Sequence, residues 1–409
     1  MNSEALIIDG VRTPRGKGRP SGALHEVHPQ QLLGQTLIAL SRQVAFAVDD
    51  VEDVVMGNGS NTGEHANDVA RLALLTAGWP IGVPGVTLNR FCGSGQQAVM
   101  FAAMGITAGW QDLVVAGGVE SMSRYDRNSV TPIHAHNAAL RARHPLVPQG
   151  ISADLIATLE DFSRADLDGF AVESQRRAGQ AQQEGRFARS LFPVTADDGR
   201  VLLDRDEHPR PDTDLAALRA LEPAFEKAGA KPRDPDGTSY DEACRRVYPD
   251  AGEIQHVHHA GNSSGIVDGA AAVLLASPRY ASAHGLKARA RVVAGAVAAT
   301  EPVIMLTAPG PAALQCLQRV GMTINDVDLW EINEAFAAIP MKVMRDLELD
   351  EHRVNVNGGA IALGHPIGAT GAILIQTVLD ELEARDLTTG MVAMCTGGGM
   401  GTATLIERI

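Results

Sequence analysis

The sequence predicts an α/β fold made of two similar halves, with a charge-rich excursion set into the first. Three observations carry this. Short apolar, β-branched runs alternate with helical stripes along most of the 409 residues, a pattern that builds a mainly parallel sheet with helices on both faces. The C-terminal stretch repeats residue types and spacings of the N-terminal stretch. From Ser121 to Glu253 the texture changes to a turn-rich segment dense in charge of both signs, with no long apolar run.

Ala5-Leu6-Ile7-Ile8 reads as a strand, followed by a turn-rich basic segment from Arg12 to Gly22. Pro29 to Val44 is predicted helical because Leu32, Leu33, Thr36, Leu37 and Leu40 fall on one stripe. Val51 to Met56 is a strand ending in Gly57-Asn58-Gly59, and Asp68 to Ala77 is a helix. Val86-Thr87-Leu88 is a strand end. Gln96 to Ala108 lacks proline and reads as a helix, and Leu113 to Ala116 is a strand running into Gly117-Gly118-Val119-Glu120-Ser121-Met122. Within the charged excursion Asp161 to Ala181 keeps a helical pattern, and Asp204 to Asp212 is expected as an exposed loop. The excursion as a whole fits a solvated lid over a binding site better than a core layer. Core texture returns from Val257 to Ala276, through the loop Ala260-Gly261-Asn262-Ser263-Ser264-Gly265. Ala290 to Ala299 is a strand, Pro311 to Val320 a helix, Asp328 to Ile332 a strand opening onto Asn333, and Glu334 to Arg345 a helix. The expected division is residues 1–122 continued by 254–280 for the first half, 123–253 for the loop or lid domain, and 281–409 for the second half.

The repeat is visible in three pairs. Asp53 to Asn58 matches Asp328 to Asn333, Val86 to Asn89 matches Val354 to Asn357, and Asp112 to Gly118 matches Gly390 to Gly397. Duplication explains this better than chance, and it brings equivalent strand-end loops to one face, where a shared site is expected.

A net charge of −14 argues against nucleic acid and anionic membranes as partners. It leaves open an anionic small molecule, which needs only local basic groups. Cys92, Cys244, Cys316 and Cys395 lie far apart without CxxC spacing, so neither a metal site nor a disulfide framework is expected. The start Met1-Asn2-Ser3-Glu4 lacks the features of a secretory signal, and no apolar run is long enough to insert in a membrane. A cytoplasmic protein is expected.

The candidate chemistry sits on the matching loops. Cys92, in Asn89-Arg90-Phe91-Cys92-Gly93-Ser94-Gly95, falls at a strand–turn–helix junction. There the unpaired N–H groups and the helix dipole favour a thiolate. The alternative is a buried structural thiol. His365 lies in the glycine-rich turn Gly364-His365-Pro366-Ile367-Gly368 before an apolar helix, as base or as structural imidazole. Asn333 either fixes a water or a carbonyl, or caps a helix. Cys395 precedes Thr396-Gly397-Gly398-Gly399, whose backbone N–H groups suit an oxyanion.

These motifs, together with Gly117 to Met122 and Asn333-Glu334-Ala335-Phe336-Ala337, occur in the order found in thiolases, and the chain resembles that family over essentially its whole length. The resemblance implies a five-layered α-β-α-β-α fold with an inserted loop domain, assembled as a homodimer or homotetramer. It implies Cys92 as acylated nucleophile, His365 as the base that takes its proton and raises its thiolate content, and Cys395 as second acid/base on the α-carbon. It also implies that Asn333 holds a water that stabilises the enolate oxygen, with the N–H groups of Cys92 and Gly397 as the acyl-enzyme oxyanion hole. Ser264 matches the serine that contacts the pantetheine arm. Coenzyme A is implied as a substrate, with acyl-CoA its partner, and no cofactor or metal is needed.

Two departures bear on substrate. Glu222 stands where short-chain biosynthetic thiolases carry a CoA-binding arginine, which leaves Arg219 or Lys227 as candidates for the nucleotide. Gln149, in Gln149 to Asp154, stands where those enzymes have a methionine, and the segment resembles actinobacterial β-oxidation and steroid-side-chain thiolases. A degradative 3-ketoacyl-CoA thiolase of fatty-acid or steroid side-chain β-oxidation is therefore expected. The alternatives are a biosynthetic acetoacetyl-CoA-forming enzyme, a decarboxylating ketoacyl synthase, which the Cys395 motif disfavours, and a non-catalytic acyl-CoA or lipid carrier.

Overall fold

The structure, a computed structural model, describes residues 4–125, 133, 135–233 and 237–409. Met1 to Ser3, the start of the segment read for a targeting signal, lie outside the described residues. The strands are β1 (Ala5–Arg12), β2 (Gly16–Lys17), β3 (Asp53–Gly57), β4 (Val86–Leu88), β5 (Leu113–Ser121), β6 (Val194–Thr195), β7 (Val201–Leu203), β8 (Val267–Ala276), β9 (Ala290–Ala299), β10 (Leu329–Ile332), β11 (Thr389–Thr396) and β12 (Met400–Arg408). The helices are α1 (Pro29–Gln43), α2 (Val69–Thr76), α3 (Ser94–Thr107), α4 (Ala138–Arg143), α5 (Gln149–Leu159), α6 (Arg164–Gln183), α7 (Leu215–Arg219), α8 (Glu226–Gly229), α9 (Tyr240–Val247), α10 (Pro278–Ala283), α11 (Pro309–Val320), α12 (Ala338–Asp346), α13 (Ala360–Leu363) and α14 (Thr370–Ala384).

The large sheet runs β10-β11-β12-β9-β1-β8-β5-β3-β4, with β2 beside β8. Read from its outer edge, the first half is β4-β3-β5-β8-β1. The second half is a bridge at Val354 followed by β10-β11-β12-β9, so each position has its counterpart. The halves join where β1 pairs with β9 over Ala5 to Ile7. The expectation of a mainly parallel sheet is corrected. β3 is parallel to β4 and β5, and β10 to β11, but the inner pairs β5–β8, β8–β1, β1–β9, β9–β12 and β12–β11 are antiparallel. Helical crossovers separate the parallel strands, whereas the Gly397 to Gly399 turn reverses β11 directly into β12.

Alternate residues of each strand face two different apolar layers. Ile7, Val114, Ala116, Val273 and Leu275 cluster with α3 and α14, while Leu6, Ile8, Leu113, Val115 and Leu274 cluster with α1 and α2. In the second half Val392, Met394 and Ile406 join the central cluster, and Met391, Ala403 and Leu405 pack with α11 and α12. The layers are thus helix, sheet, helix, sheet, helix. Strands buried on both faces read as unbroken apolar runs, which is how the sequence displayed them.

The charged excursion is more than a solvated surface. Ile151, Leu155, Leu167 and Ala171 of α5 and α6 share a core with Val303 to Leu306 and with Ala335 to Ile339. Asp206, expected in an exposed loop, is 5% exposed and accepts from both terminal nitrogens of Arg12 at 2.8 and 2.9 Å and from the Arg15 N–H at 2.9 Å. Local charge density does not reveal which carboxylate meets a distant buried arginine. The helix expected from Glu334 starts at Ala338, because Glu334 turns inward: it accepts from Ser174 Oγ, Asn355 Nδ2 and the Ile361 N–H. Among the described residues no helix is long and apolar enough to cross a membrane.

Candidate active site

Cys92 follows a bent piece of backbone. Phe91 has φ +48°, a left-handed conformation that costs a non-glycine residue on the order of 1 kcal/mol. Three short bonds hold it there. The Phe91 N–H donates to Asn89 Oδ1 at 2.7 Å, the Arg90 N–H donates to Ser94 Oγ at 2.9 Å, and Ser94 Oγ donates to the Phe91 carbonyl at 2.6 Å. Gly93 then caps α3. Cys92 is 6% exposed, and its sulfur receives the Gly397 N–H and the side-chain amide of Gln149, the first residue of α5. Gly397 can present its N–H because Gly398 and Gly399 carry the chain through φ +80° and +83°, conformations open to glycine at little cost.

The helix position of Cys92 favours a thiolate, and burial acts against it. Burial pushes the Cys92 thiol up to about 11, and the negative charge of Glu120 adds to this, outweighing the N–H donors. Among the described residues no cation offsets this, and the balance holds Cys92 toward the thiol form.

His365 has the form needed to take that proton. Its Nδ1 lies 2.6 Å from Thr370 Oγ1, and that hydroxyl donates to the Pro366 carbonyl at 2.8 Å. With the hydroxyl proton committed, Nδ1 carries the imidazole proton and Nε2 the free lone pair. Burial, reinforced by the charge of Arg15, lowers the His365 pKa to about 3, so the ring is neutral. Asn333 Nδ2 approaches Nε2 at 3.5 Å. Asn333 is 1% exposed, and its Oδ1 has no partner among the described residues, the kind of acceptor that a water or substrate group satisfies. Cys395, fully buried on β11, is held well above the ordinary thiol range by burial and by its nearness to Cys92. It is a proton donor at rest.

Cys92 and His365 open on one cavity of about 1270 Å³, which Gln149, Ser264, Met122 and Phe336 also line. Its lining includes Lys17, Arg19 and Arg210, with His208 and His259 beside them. Arg219 and Lys227 are exposed on α7 and α8 and outside the lining set, although their neighbours Leu218 and Phe225 belong to it. The structure thus brings together Cys92, His365, Cys395, Asn333, Gly397, Gln149 and Ser264, and sets Arg219 and Lys227 apart. Sequence reasoning missed Thr370, Arg15 and the buried carboxylates Glu120 and Glu334. A hydroxyl five residues after His365, at the start of its helix, was the available signal for Thr370.

Comparison with known proteins agrees with this arrangement. Residues 5–231 match the family model "Thiolase, N-terminal domain" and residues 286–408 match "Thiolase, C-terminal domain". The chain is 40% identical over 430 residues to the beta-ketoadipyl-CoA thiolase of Pseudomonas aeruginosa, covering 100% of both chains. It is 39% identical over 428 residues to the 3-oxoadipyl-CoA/3-oxo-5,6-dehydrosuberyl-CoA thiolase of Escherichia coli K12, covering 99% of this chain and 100% of that one. The crystal structure of the Bacillus anthracis acetyl-CoA acetyltransferase superposes with a TM-score of 0.83 at 33% identity over 100% of both chains. The fold and site define an acyl-CoA C-acyltransferase. The chain belongs to the thiolase family, in which coenzyme A is a substrate and no cofactor is required.

Proposed function

We propose that this thiolase works in the degradative direction, cleaving a 3-ketoacyl-CoA with coenzyme A to acetyl-CoA and a shortened acyl-CoA. The observation that carries the reading is the placement of Cys92 and His365 on one cavity, with Cys395 near Cys92 and His365 Nδ1 held by Thr370. This set serves cleavage and condensation alike, and the degradative direction is supported by the Gln149 segment and by the names of the relatives. Cys92 sulfur attacks the 3-keto carbon while its proton passes to His365 Nε2. The bond between the α- and β-carbons then breaks, and the electron pair goes to the acetyl-CoA enolate, which takes a proton from Cys395. Asn333, through a water and with His365, stabilises the enolate oxygen. The N–H groups of Cys92 and Gly397 hold the thioester oxygen of the acyl-enzyme. Free coenzyme A then gives its thiol proton to the site and takes the acyl group from Cys92.

Ser264 faces the pantetheine arm in this reading, and the basic rim of Lys17, Arg19 and Arg210 is better placed for the phosphates than Arg219 or Lys227. The names of the relatives add a dicarboxylic 3-ketoacyl-CoA such as 3-ketoadipyl-CoA to the fatty-acyl and steroid side-chain candidates. The second reading, acetoacetyl-CoA synthesis, is favoured by the likeness to the B. anthracis enzyme. We place the enzyme in the reducing cytoplasm, where its four unpaired cysteines persist. We assign it a homodimer or homotetramer, since β4 leaves an open sheet edge with Val86 exposed. The test is loss of 3-ketoacyl-CoA enolate absorbance with coenzyme A, using 3-ketoadipyl-, long-chain, steroid side-chain and acetoacetyl-CoA substrates and Cys92→Ala as control. Turnover of a longer substrate well above acetoacetyl-CoA, absent in the variant, is expected. Preference for acetoacetyl-CoA would move the enzyme to the biosynthetic reading.

A further inference from the structure

Glu120 is 0% exposed and has no cationic partner among the described residues, yet three loops of the site converge on it. Its Oε2 accepts the Gly59 N–H at 2.7 Å and the Gly368 N–H at 2.8 Å, and its Oε1 accepts Asn58 Nδ2 at 3.3 Å. The hydroxyls of Ser60 and Tyr125 lie near the carboxylate without hydrogen-bond geometry to it. Gly59 follows β3. Gly368 sits three residues after His365 and two before Thr370, the residue that orients the imidazole. The turn carrying both is pressed hard against the strand ends: a Cβ on Gly118 would lie 2.0 Å from the Gly368 carbonyl oxygen. Backbone contact of this kind sets how near the turn comes. The Glu120 carboxylate supplies the polar anchor that fixes its position along the strands.

Burial raises the Glu120 pKa and the N–H donors of Gly59 and Gly368 oppose it; a buried carboxylate held by such donors is costly to desolvate, and replacing it with a neutral group of the same shape is often tolerated. Its electrostatic reach offers a reason for the charge. Cys92 transfers a proton to His365 during attack, and the developing imidazolium sits on the turn that Glu120 grips. The Glu120 charge adds to burial in disfavouring a thiolate at Cys92 in the empty site, while the charge that acts on His365 is that of Arg15. Among the described residues, the titratable groups that act on Cys92 and its neighbours from the packed elements are Glu120, Tyr125 and Cys395, with His365 across the cavity and Arg15 acting on it.

We propose that Glu120 is a positioning residue for thiolysis: its hydrogen bonds to the Gly59 and Gly368 N–H groups anchor the His365–Thr370 turn, and its charge adds to burial in holding the Cys92 proton until substrate arrives. The position is also informative within the duplication. Asn58 and Asn333 occupy matching strand ends, but Asn58 is spent on the Val119 carbonyl and Glu120, whereas Asn333 approaches His365. One half gives its strand-end asparagine to the scaffold, and the other gives it to the reaction.

The inference rests on the thiolase reading, and two of its readouts need no substrate. In Glu120→Gln, kcat for the best substrate should fall by about tenfold or more while KM for coenzyme A changes by less than about twofold. The midpoint of Cys92 alkylation by iodoacetamide against pH, read by mass spectrometry of the Cys92 peptide, should move down by about half a unit or more. The imidazole ¹⁵N shifts of His365 should change from a single Nδ1–H tautomer to a mixture. Glu120→Asp keeps the charge but is too short to reach both the Gly59 and Gly368 N–H groups, so it should lose kcat while keeping the native alkylation midpoint. Glu184→Gln, on the exposed surface, should change none of these. A folded Glu120→Gln with native kcat, or with lost kcat but a native alkylation midpoint and tautomer, overturns the proposal. Should Glu120→Gln not fold, Glu120→Asp decides it alone, with native kcat as the overturning result. A native chain inactive on every substrate would count against the thiolysis reading, while the alkylation and ¹⁵N readouts would still decide the role of Glu120.

Discussion

At the scale of single residues the site is arranged to keep protons in place until substrate arrives. Thr370 is decisive for His365, because its own proton is tied to the Pro366 carbonyl and its lone pair faces Nδ1. Thr370→Val keeps the shape of the side chain and removes that acceptor, leaving the ring free to change tautomer. We expect kcat to fall about 10- to 100-fold with KM nearly unchanged and with cooperative unfolding preserved, measured by steady-state thiolysis beside a thermal melt. Equal losses in kcat and stability would instead give Thr370 a packing role. Cys92, His365 and Cys395 drew notice in the sequence because each lies in or beside a glycine-marked turn, and Asn333 because it ends a strand in the motif Asn333-Glu334-Ala335-Phe336-Ala337. The protonation state of Cys92 was not legible. Helix position is visible in a sequence, but the depth of burial and the nearby Glu120 that outweigh it come from segments far along the chain.

At the scale of elements most strands and helices were legible, because amphipathic stripes and β-branched runs are local. β9 has the predicted bounds, and α1 and α2 differ from theirs by one residue at most ends. What failed was set by partners remote in sequence. α12 begins late because Glu334 is drawn into a bond with Ser174 of α6. The loop around Asp206 is an anchor because Arg12, at the end of β1, is waiting for it. That pair is buried on both sides. Asp206→Asn would leave the Arg12 guanidinium uncompensated, and breaking such a pair costs about 3–5 kcal/mol. The expected result is a lower urea midpoint for the whole chain together with faster proteolysis between residues 196 and 214. The second readout separates release of this anchor from a general loss of core packing, which would not favour one loop.

At the scale of the whole molecule the duplication sets both the site and an alkaline limit to stability. Two copies of one layered unit place matching strand ends on one face, so the candidate catalytic thiols and imidazole are buried where the copies meet, and burial has a price in ionisation. Burial raises the thiols of Cys92 and Cys316 to about 11 and that of Cys244 to about 12, all from an ordinary value of 9.0, and Cys395 also moves up. The folded-state values lie above the unfolded ones. The unfolded chain therefore gives up these protons as pH passes 9.0 while the native state keeps them. Stability from these groups is complete below that point and lost as pH climbs toward the folded values. Each thiol adds a slope of about 1.4 kcal/mol per pH unit once ionised in the unfolded chain. Arg15, lowered to about 10, opposes this by one proton from there upward, so the steepest loss is expected just below that value. Urea unfolding of the reduced protein at about pH 8 and about pH 10 measures it. Cys244 and Cys316 lie outside the cavity lining, and replacing both with alanine should flatten the slope by about two protons without abolishing thiolysis. An unchanged slope in that double variant would mean that the loss comes from surface charge rather than from thiols enclosed by the two halves.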